Sequence, residues 1–349
     1  LSCKHCWISS SPLNQFQEVG IADLYQILCN IERLRPSNVI LSGGEPTVSK
    51  HLYEVLEYFN KSSICYSMET NGINMPEGLK ILLREGVTNG LCKEIGVSID
   101  GDKESHNQIR GPRTFEKTIK TVRMLTEYNV TVSIQCILNK INISKINDVF
   151  KIVENLGVKI FKIGFTNSVG RARENLDEIG LTPSHYVRSI KEIIRLATVY
   201  RNIKILLKIP PGIIHPNFLY AISKSKNMEI TTRCSFPLLS LLPNGKITLC
   251  AITRDATEYN FGYATQVDLL DLWNKDKRLK ELNNITSKLI GVCKQCIYKK
   301  YCKGSCRLYA YEQFKSIYAS YPLCNKFYEM KMFPKAYLKG IADASARES

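Results

Sequence analysis

Short apolar runs alternate with longer amphipathic ones over residues 1–200, and that rhythm leaves few folds open. Residues 38–42, 64–68, 94–98, 130–138 and 158–165 read as strands. Residues 52–59, 77–84, 114–128, 146–155 and 185–199 read as the helices behind them. Strands separated each time by a helix run parallel, because the helix carries the chain back to the end where it began. The helix over 21–34 is expected to follow one more strand ahead of Leu1. The expected class is α/β, a partial (β/α)6 TIM-like barrel rather than a doubly wound sheet. A strand over 203–209 and the breaker Pro210-Pro211-Gly212 mark 201–230 as a bridging region. A cysteine-rich α+β module follows over 231–349, opening on a hairpin around Pro243-Asn244-Gly245. Stretches 268–273, 298–314 and 325–331 are its helical candidates.

That module carries an ordered set of cysteines. Cys234, Gly245 and Cys250 are followed, after a long gap, by Cys293, Cys296, Cys302, Cys306 and Cys324. Two more, Cys3 and Cys6, open the chain. A domain of this size does not need disulfide staples, and the total of 13 cysteines leaves one over. Pairs separated by two residues suit zinc or iron–sulfur ligation instead. Cys29, Cys65, Cys92 and Cys136 fall outside the pattern and read as small core hydrophobes.

Lysine and arginine outnumber acidic residues 48 to 32, but the excess is spread out. No basic run marks a nucleic-acid tail, and no apolar run reaches membrane-spanning length. The net charge of +16 favours an anionic partner.

Glycines and polar residues gather where the expected strands end. Leu41-Ser42-Gly43-Gly44-Glu45-Pro46-Thr47 closes the first, Met68-Glu69-Thr70-Asn71-Gly72 the second and Val97-Ser98-Ile99-Asp100-Gly101 the third. His106, Arg110 and Gly111 follow closely. Barrel folds bind substrate at this edge. Plain alternatives exist for each residue: a simple turn at Gly43 and Gly44, a capping Arg110, a salt-bridged Glu69, a core Ile137.

Taken together, these motifs resemble the radical S-adenosylmethionine (SAM) enzymes that carry a C-terminal SPASM domain. The family's cluster motif is C-x3-C-x-x-C, and Cys3 and Cys6 match its second and third cysteines. The first would stand two residues before Leu1, so the chain is expected to be part of a longer protein. His5 takes a position that is usually aromatic, and Gly43-Gly44-Glu45-Pro46 matches the family's GGEP motif.

The resemblance implies SAM and three [4Fe–4S] clusters as cofactors. Cys3 and Cys6 would hold the radical-generating cluster. Gly43 and Gly44 would let SAM approach the backbone, and Glu45 would receive its ammonium group. Ser98 and Arg110 would bind its carboxylate, Glu69 and Asn71 its ribose side, and Ile137 and Val169 its adenine. Cys234, Cys250 and Cys306 would hold a first auxiliary cluster with one iron open. Cys293, Cys296, Cys302 and Cys324 would hold a second, fully ligated one. The Gly170-Arg171-Ala172 turn follows its strand as in many relatives.

The leading expectation is maturation of a ribosomally made peptide by a 5′-deoxyadenosyl radical, giving a cross-link, a thioether or an epimer. The partners would be a precursor peptide, with an acidic leader matching the basic chain, and flavodoxin or ferredoxin as reductant. No nucleic acid or membrane partner is expected. Oxygen-sensitive clusters imply a reducing cytoplasm. Decarboxylation of tetrapyrrole side chains is one alternative, and an iron–sulfur or zinc scaffold without activity is another. Anaerobic sulfatase maturation is disfavoured by the lack of a cysteine between Cys234 and Cys250. It is disfavoured too by Ala251, where those enzymes carry an aspartate.

Overall fold

A computed structural model of the chain describes residues 1–12, 17–232 and 238–339. Seven parallel strands form one sheet in sequence order: β1 Val39–Leu41, β2 Tyr66–Thr70, β3 Cys92–Ser98, β4 Val132–Leu138, β5 Ile160–Phe165, β6 Lys204–Lys208 and β7 Met228–Thr231. A helix fills each crossover, among them Leu52–Lys61, Glu77–Thr88, Phe115–Glu127, Ile146–Asn155 and Pro183–Val199. β1 and β7 do not pair with each other, so the sheet is a barrel left open.

The expected architecture is present with a different strand count. The strand expected over 203–209, assigned to the bridging region, is β6 and pairs in parallel with β5, so it belongs to the sheet. The Pro210-Pro211-Gly212 breaker makes a 3-10 turn, Pro211–Ile213, and helix Pro216–Lys224 then leads to β7, which the sequence reading did not foresee. A prolyl turn after a strand ends that strand without ending the βα rhythm.

Strand residues alternate between two environments. Tyr66, Met68, Ile95, Val97, Ile134, Cys136, Phe161, Ile163, Ile205 and Leu207 are buried. Phe161 meets Phe150 of the Ile146–Asn155 helix with ring centroids 5.0 Å apart, and Phe59 meets Tyr66 at 6.0 Å. Full burial of each such side chain stabilises by about 1.5–3 kcal/mol. The other parity is polar. Glu69 and Gln135 lie over Gly96, where an added Cβ would stand 2.3 Å from each. Lys162 pairs with Glu94, which also accepts from Ser133. The sheet's concave face is therefore built to meet polar groups, whereas parallel sheets are usually apolar on both faces.

The C-terminal module opens on the antiparallel pair β8 Ser240–Leu241 and β9 Ile247–Thr248. Gly245 takes φ +79 at the turn, as the Asn-Gly signal requires. The stretch 298–314 is not one helix. It divides into Lys299–Cys302 and Arg307–Phe314 because Lys303, Gly304 and Ser305 all have positive φ, which a right-handed helix cannot contain.

Side-chain bonds seat this module on the sheet. Asn30, on helix Ile21–Leu34, donates to the carbonyls of Ala264 (2.9 Å) and Val267 (2.7 Å) and accepts from the amide of Leu269 (2.9 Å). Tyr309 Oη accepts from the Ser168 amide at 3.1 Å. Asn30→Ala is expected to cost about 1–3 kcal/mol, because three backbone groups lose their partner. Denaturant unfolding checks this, and an unchanged midpoint would count against Asn30 as a fastener.

Candidate active site at the carboxyl end of the sheet

The Cys3–Cys6 turn is held from several sides. Lys4 donates its amide to the Ile109 carbonyl at 3.0 Å. The Arg171 guanidinium donates to the carbonyls of Cys3 (2.9 Å) and Ser10 (2.6 Å), bridging the two ends of the loop. Arg254, from the C-terminal module, donates to Ile8 O at 3.1 Å. Gly170, with φ +57, backs onto this loop, and a Cβ there would lie 2.6 Å from the Trp7 carbonyl. The Gly170-Arg171 turn, read from sequence only as a family landmark, is a clamp on the cysteine loop.

Beneath the loop lies Asp100, fully buried at the end of β3. Its Oδ2 accepts from His5 Nε2 and from Arg110 Nε, both at 2.6 Å, and its Oδ1 accepts from the Ile137 amide at 2.7 Å. Burial pushes this carboxyl up. The Arg110 and His5 charges and the hydrogen bonds outweigh that and hold it well below the usual carboxylate range. Arg110 Nη1 lies 4.0 Å from Cys3 Sγ. Asp100 was quoted only as part of a glycine-containing strand end. The signal that could have exposed it is His5, a polar residue at a position where the resemblance leads one to expect an aromatic ring.

The other site residues ring this centre. Gly43 and Gly44 follow β1 and are exposed, with open space around the Gly43 Cβ direction and Ser10 against Gly44. Glu45 is tied down: its carboxylate accepts from Thr47 N (3.2 Å), Thr47 Oγ1 (2.9 Å), Thr70 Oγ1 (2.6 Å) and Asn71 N (2.7 Å). It staples the end of β1 to the end of β2. Asn71 Oδ1 is engaged with the Ile73 amide at 2.8 Å. Ser98 ends β3 opposite Gln135, and Glu69 stands with Gln135 over Gly96. Gln135 was not read as a site residue, yet its buried Nε2 has no partner among the described residues. Val169 is buried and lines a cavity of about 480 Å³ with Trp7, Arg173, Ala251 and Lys315. That cavity lies between the Cys3–Cys6 loop and the segment after Cys250. Ile137, half-buried on β4, is not among the residues lining that cavity.

Cys293, Cys296, Cys302 and Cys324 line one small cavity together with Gly212 and Phe333. All four are buried, and none of the cysteines among the described residues is in a disulfide. Burial pushes the Cys302 thiol up to about 12 and Cys324 well above its ordinary value. Burial raises Cys296 as well, and thiols kept out of water resist ionisation unless a metal centre takes their charge. Cys250 precedes the 3-10 turn Ala251–Thr253, Cys306 precedes helix Arg307–Phe314, and those two elements pack together. Cys234 lies outside the described residues.

Residues 1–153 match the model of the radical SAM superfamily, and residues 234–297 match that of the SPASM iron–sulfur cluster-binding domain. The chain is a radical SAM enzyme with a SPASM domain. It is similar to an AdoMet-dependent heme synthase of Methanosarcina barkeri, 24% identical over 93% of this chain and 92% of that protein. The sporulation killing factor maturation protein SkfB of Bacillus subtilis is 27% identical, over 52% of this chain and 43% of its own length. The structure of anSMEcpe with bound AdoMet shares the fold, with a TM-score of 0.69, 20% identity and coverage of 94% of this chain and 92% of that one. The donor chemistry of this radical SAM chain fits the groups its family holds: thiols at both centres, and open space beside Gly43 for a ligand. No helix among the described residues is long and apolar enough to cross a membrane.

Asp100→Ala leaves the Arg110 guanidinium buried without its counter-charge. The expected loss is about 3–5 kcal/mol. Unfolding of the metal-free protein measures it, and iron retained at the Cys3–Cys6 loop reports whether the loop stays seated. A loss under about 1 kcal/mol would show that Asp100 does not organise this end of the sheet.

Proposed function

We propose that this radical SAM enzyme acts on the propionate side chains of a tetrapyrrole, removing a hydrogen atom and then the carboxylate. One observation carries the reading: the heme synthase aligns through both the sheet and the SPASM domain, whereas the peptide-maturation protein SkfB aligns over about half of the chain. This moves the reading away from the peptide maturation that the motifs alone favoured. The positive balance of the chain suits a polycarboxylate as well as it suits an acidic peptide.

The residues divide the work as follows. Cys3 and Cys6 hold the front cluster, steadied by Arg171 and by the Asp100 network. Gly43, Gly44, Glu45, Ser98 and Arg110 are assigned to the amino-acid part of SAM, Glu69 and Asn71 to its ribose, and Ile137 and Val169 to its adenine. Glu45 keeps its carboxylate oriented through Thr47, Thr70 and Asn71. Arg110 shares its charge between Asp100 and the Cys3 side of the loop. Cys293, Cys296, Cys302 and Cys324 hold one auxiliary cluster, and Cys250 and Cys306 with Cys234 hold another, for three in all. When bound, these groups supply hydrogen-atom abstraction at the front and one-electron transfer at the back. Lys162, on the concave face, offers a cation to a substrate carboxylate. It is already paired with Glu94, so a substrate must compete for it.

A peptide substrate is the second reading, favoured by the likeness of part of this chain to SkfB. One experiment separates the two. Anaerobically reconstituted protein is given SAM, a flavodoxin or ferredoxin reductant, and an iron coproporphyrin. Release of 5′-deoxyadenosine with loss of one carbon dioxide and two hydrogens per side chain supports the tetrapyrrole reading. SAM cleavage that leaves the porphyrin intact, while a co-expressed short peptide changes mass or takes up solvent deuterium, overturns it. Lys162→Ala is expected to raise the porphyrin KM about tenfold while leaving porphyrin-independent SAM cleavage unchanged, the effect of losing about 1.4 kcal/mol of binding. Steady-state kinetics check this.

A further inference from the structure

Arg307 follows Cys306 and starts its helix, yet the side chain does not reach water: it is 5% exposed. Its guanidinium donates to the carbonyls of Ile317 (2.9 Å) and Ala319 (2.6 Å), and also to that of Gly304. A Cβ on Gly304 would lie 2.6 Å from the guanidinium carbon. Gly304 is also a wall of the cavity lined by Cys293, Cys296, Cys302 and Cys324. The cation therefore stands one glycine away from four thiols.

Three carbonyls satisfy hydrogens on this guanidinium but do not cancel its charge. A buried cation without an anion is strongly unfavourable. After burial itself, the ionisable groups that bear most on Arg307 are the thiols of Cys293, Cys302, Cys306 and Cys324. Its Nε is buried with no acceptor among the described protein atoms. An arginine placed this way fits a site whose neighbour carries net negative charge and sulfur acceptors. An iron–sulfur centre held by thiolates has both, and its potential follows the charge and hydrogen bonding around it.

We propose that Arg307 is the fixed cation of the four-cysteine centre, a positioning residue that raises this centre's reduction potential and offers it the Nε–H donor. The proposal rests on Cys293, Cys296, Cys302 and Cys324 being the ligands of that centre. A nearby positive charge stabilises the reduced, more negative state, so removing it lowers the potential.

The test is an EPR-monitored redox titration of the full, anaerobically reconstituted chain carrying Cys3→Ala and Cys6→Ala, in which only the C-terminal centres report. Cys302→Ala identifies the signal of the four-cysteine centre by deleting it. Arg307→Gln is expected to change the oxidised-to-reduced ratio of that signal at least tenfold at fixed potential, about 59 mV downward for a one-electron couple. Arg307→Lys keeps the charge and moves it less. An unmoved potential in an iron-replete Arg307→Gln protein overturns the proposal. Should Arg307→Gln fail to hold iron, the protein with native Arg307 labelled with heavy-nitrogen arginine decides. A nitrogen hyperfine coupling at the reduced centre supports the proposal, and its absence overturns it. If Cys302→Ala deletes neither C-terminal signal, the ligand assignment falls and the proposal with it, an outcome distinguishable from an unmoved potential.

Discussion

Asp100 carries a negative charge inside the protein, and three chain segments close around it. His5 brings the cysteine loop, Arg110 brings the helix after β3, and the Ile137 amide brings β4. Its own carbonyl accepts from Asn142, which ties in the turn beyond β4. A buried carboxylate is tolerated only when its partners are all present, so the contacts form together or not at all. The cysteine loop has no regular secondary structure of its own. Its position is inherited from this charge, from the Arg171 clamp and from the absence of a side chain at Gly170.

The same logic recurs in the SPASM domain with the sign reversed. There the buried charge is a cation, Arg307, and the groups around it are thiols. Arg110 Nη1 lies 4.0 Å from Cys3 Sγ, and Arg307 stands one glycine away from the cavity of four thiols. Arginine suits both places because it stays charged when buried and spreads its donors over several acceptors. The concave face of the sheet carries Glu69, Glu94, Gln135 and Lys162. A polar wall with paired charges can hold a polar ligand without collapsing when it is empty.

Much of the architecture was legible because it depends on local periodicity. The helices over 21–34 and 146–155 have the ends expected of them, and most strands fall within a few residues of the reading. Where the reading departed, a non-local or conformational cause was at work. The Pro-Pro-Gly breaker ended a strand but not the βα repeat, so β6 was assigned to the bridging region. The 298–314 stretch has helical composition but contains three left-handed residues, two of them not glycine. Gln135 and Lys162 were passed over because one polar residue in an apolar strand carries no label for the face it occupies.

By itself the sequence determined the chemistry available: which cysteines exist, their order, and the glycine and carboxylate motifs at the strand ends. These follow from residue identity and short spacing, and they are enough to assign the family and its SPASM domain. Only the tertiary structure decided which groups share an environment. That Asp100 bonds both His5 and Arg110, that Glu45 staples two strands, and that Arg307 is buried on the carbonyls of Gly304, Ile317 and Ala319 all depend on contacts between residues from separate elements. Burial sets the energy of each, and burial is a property of the packed chain.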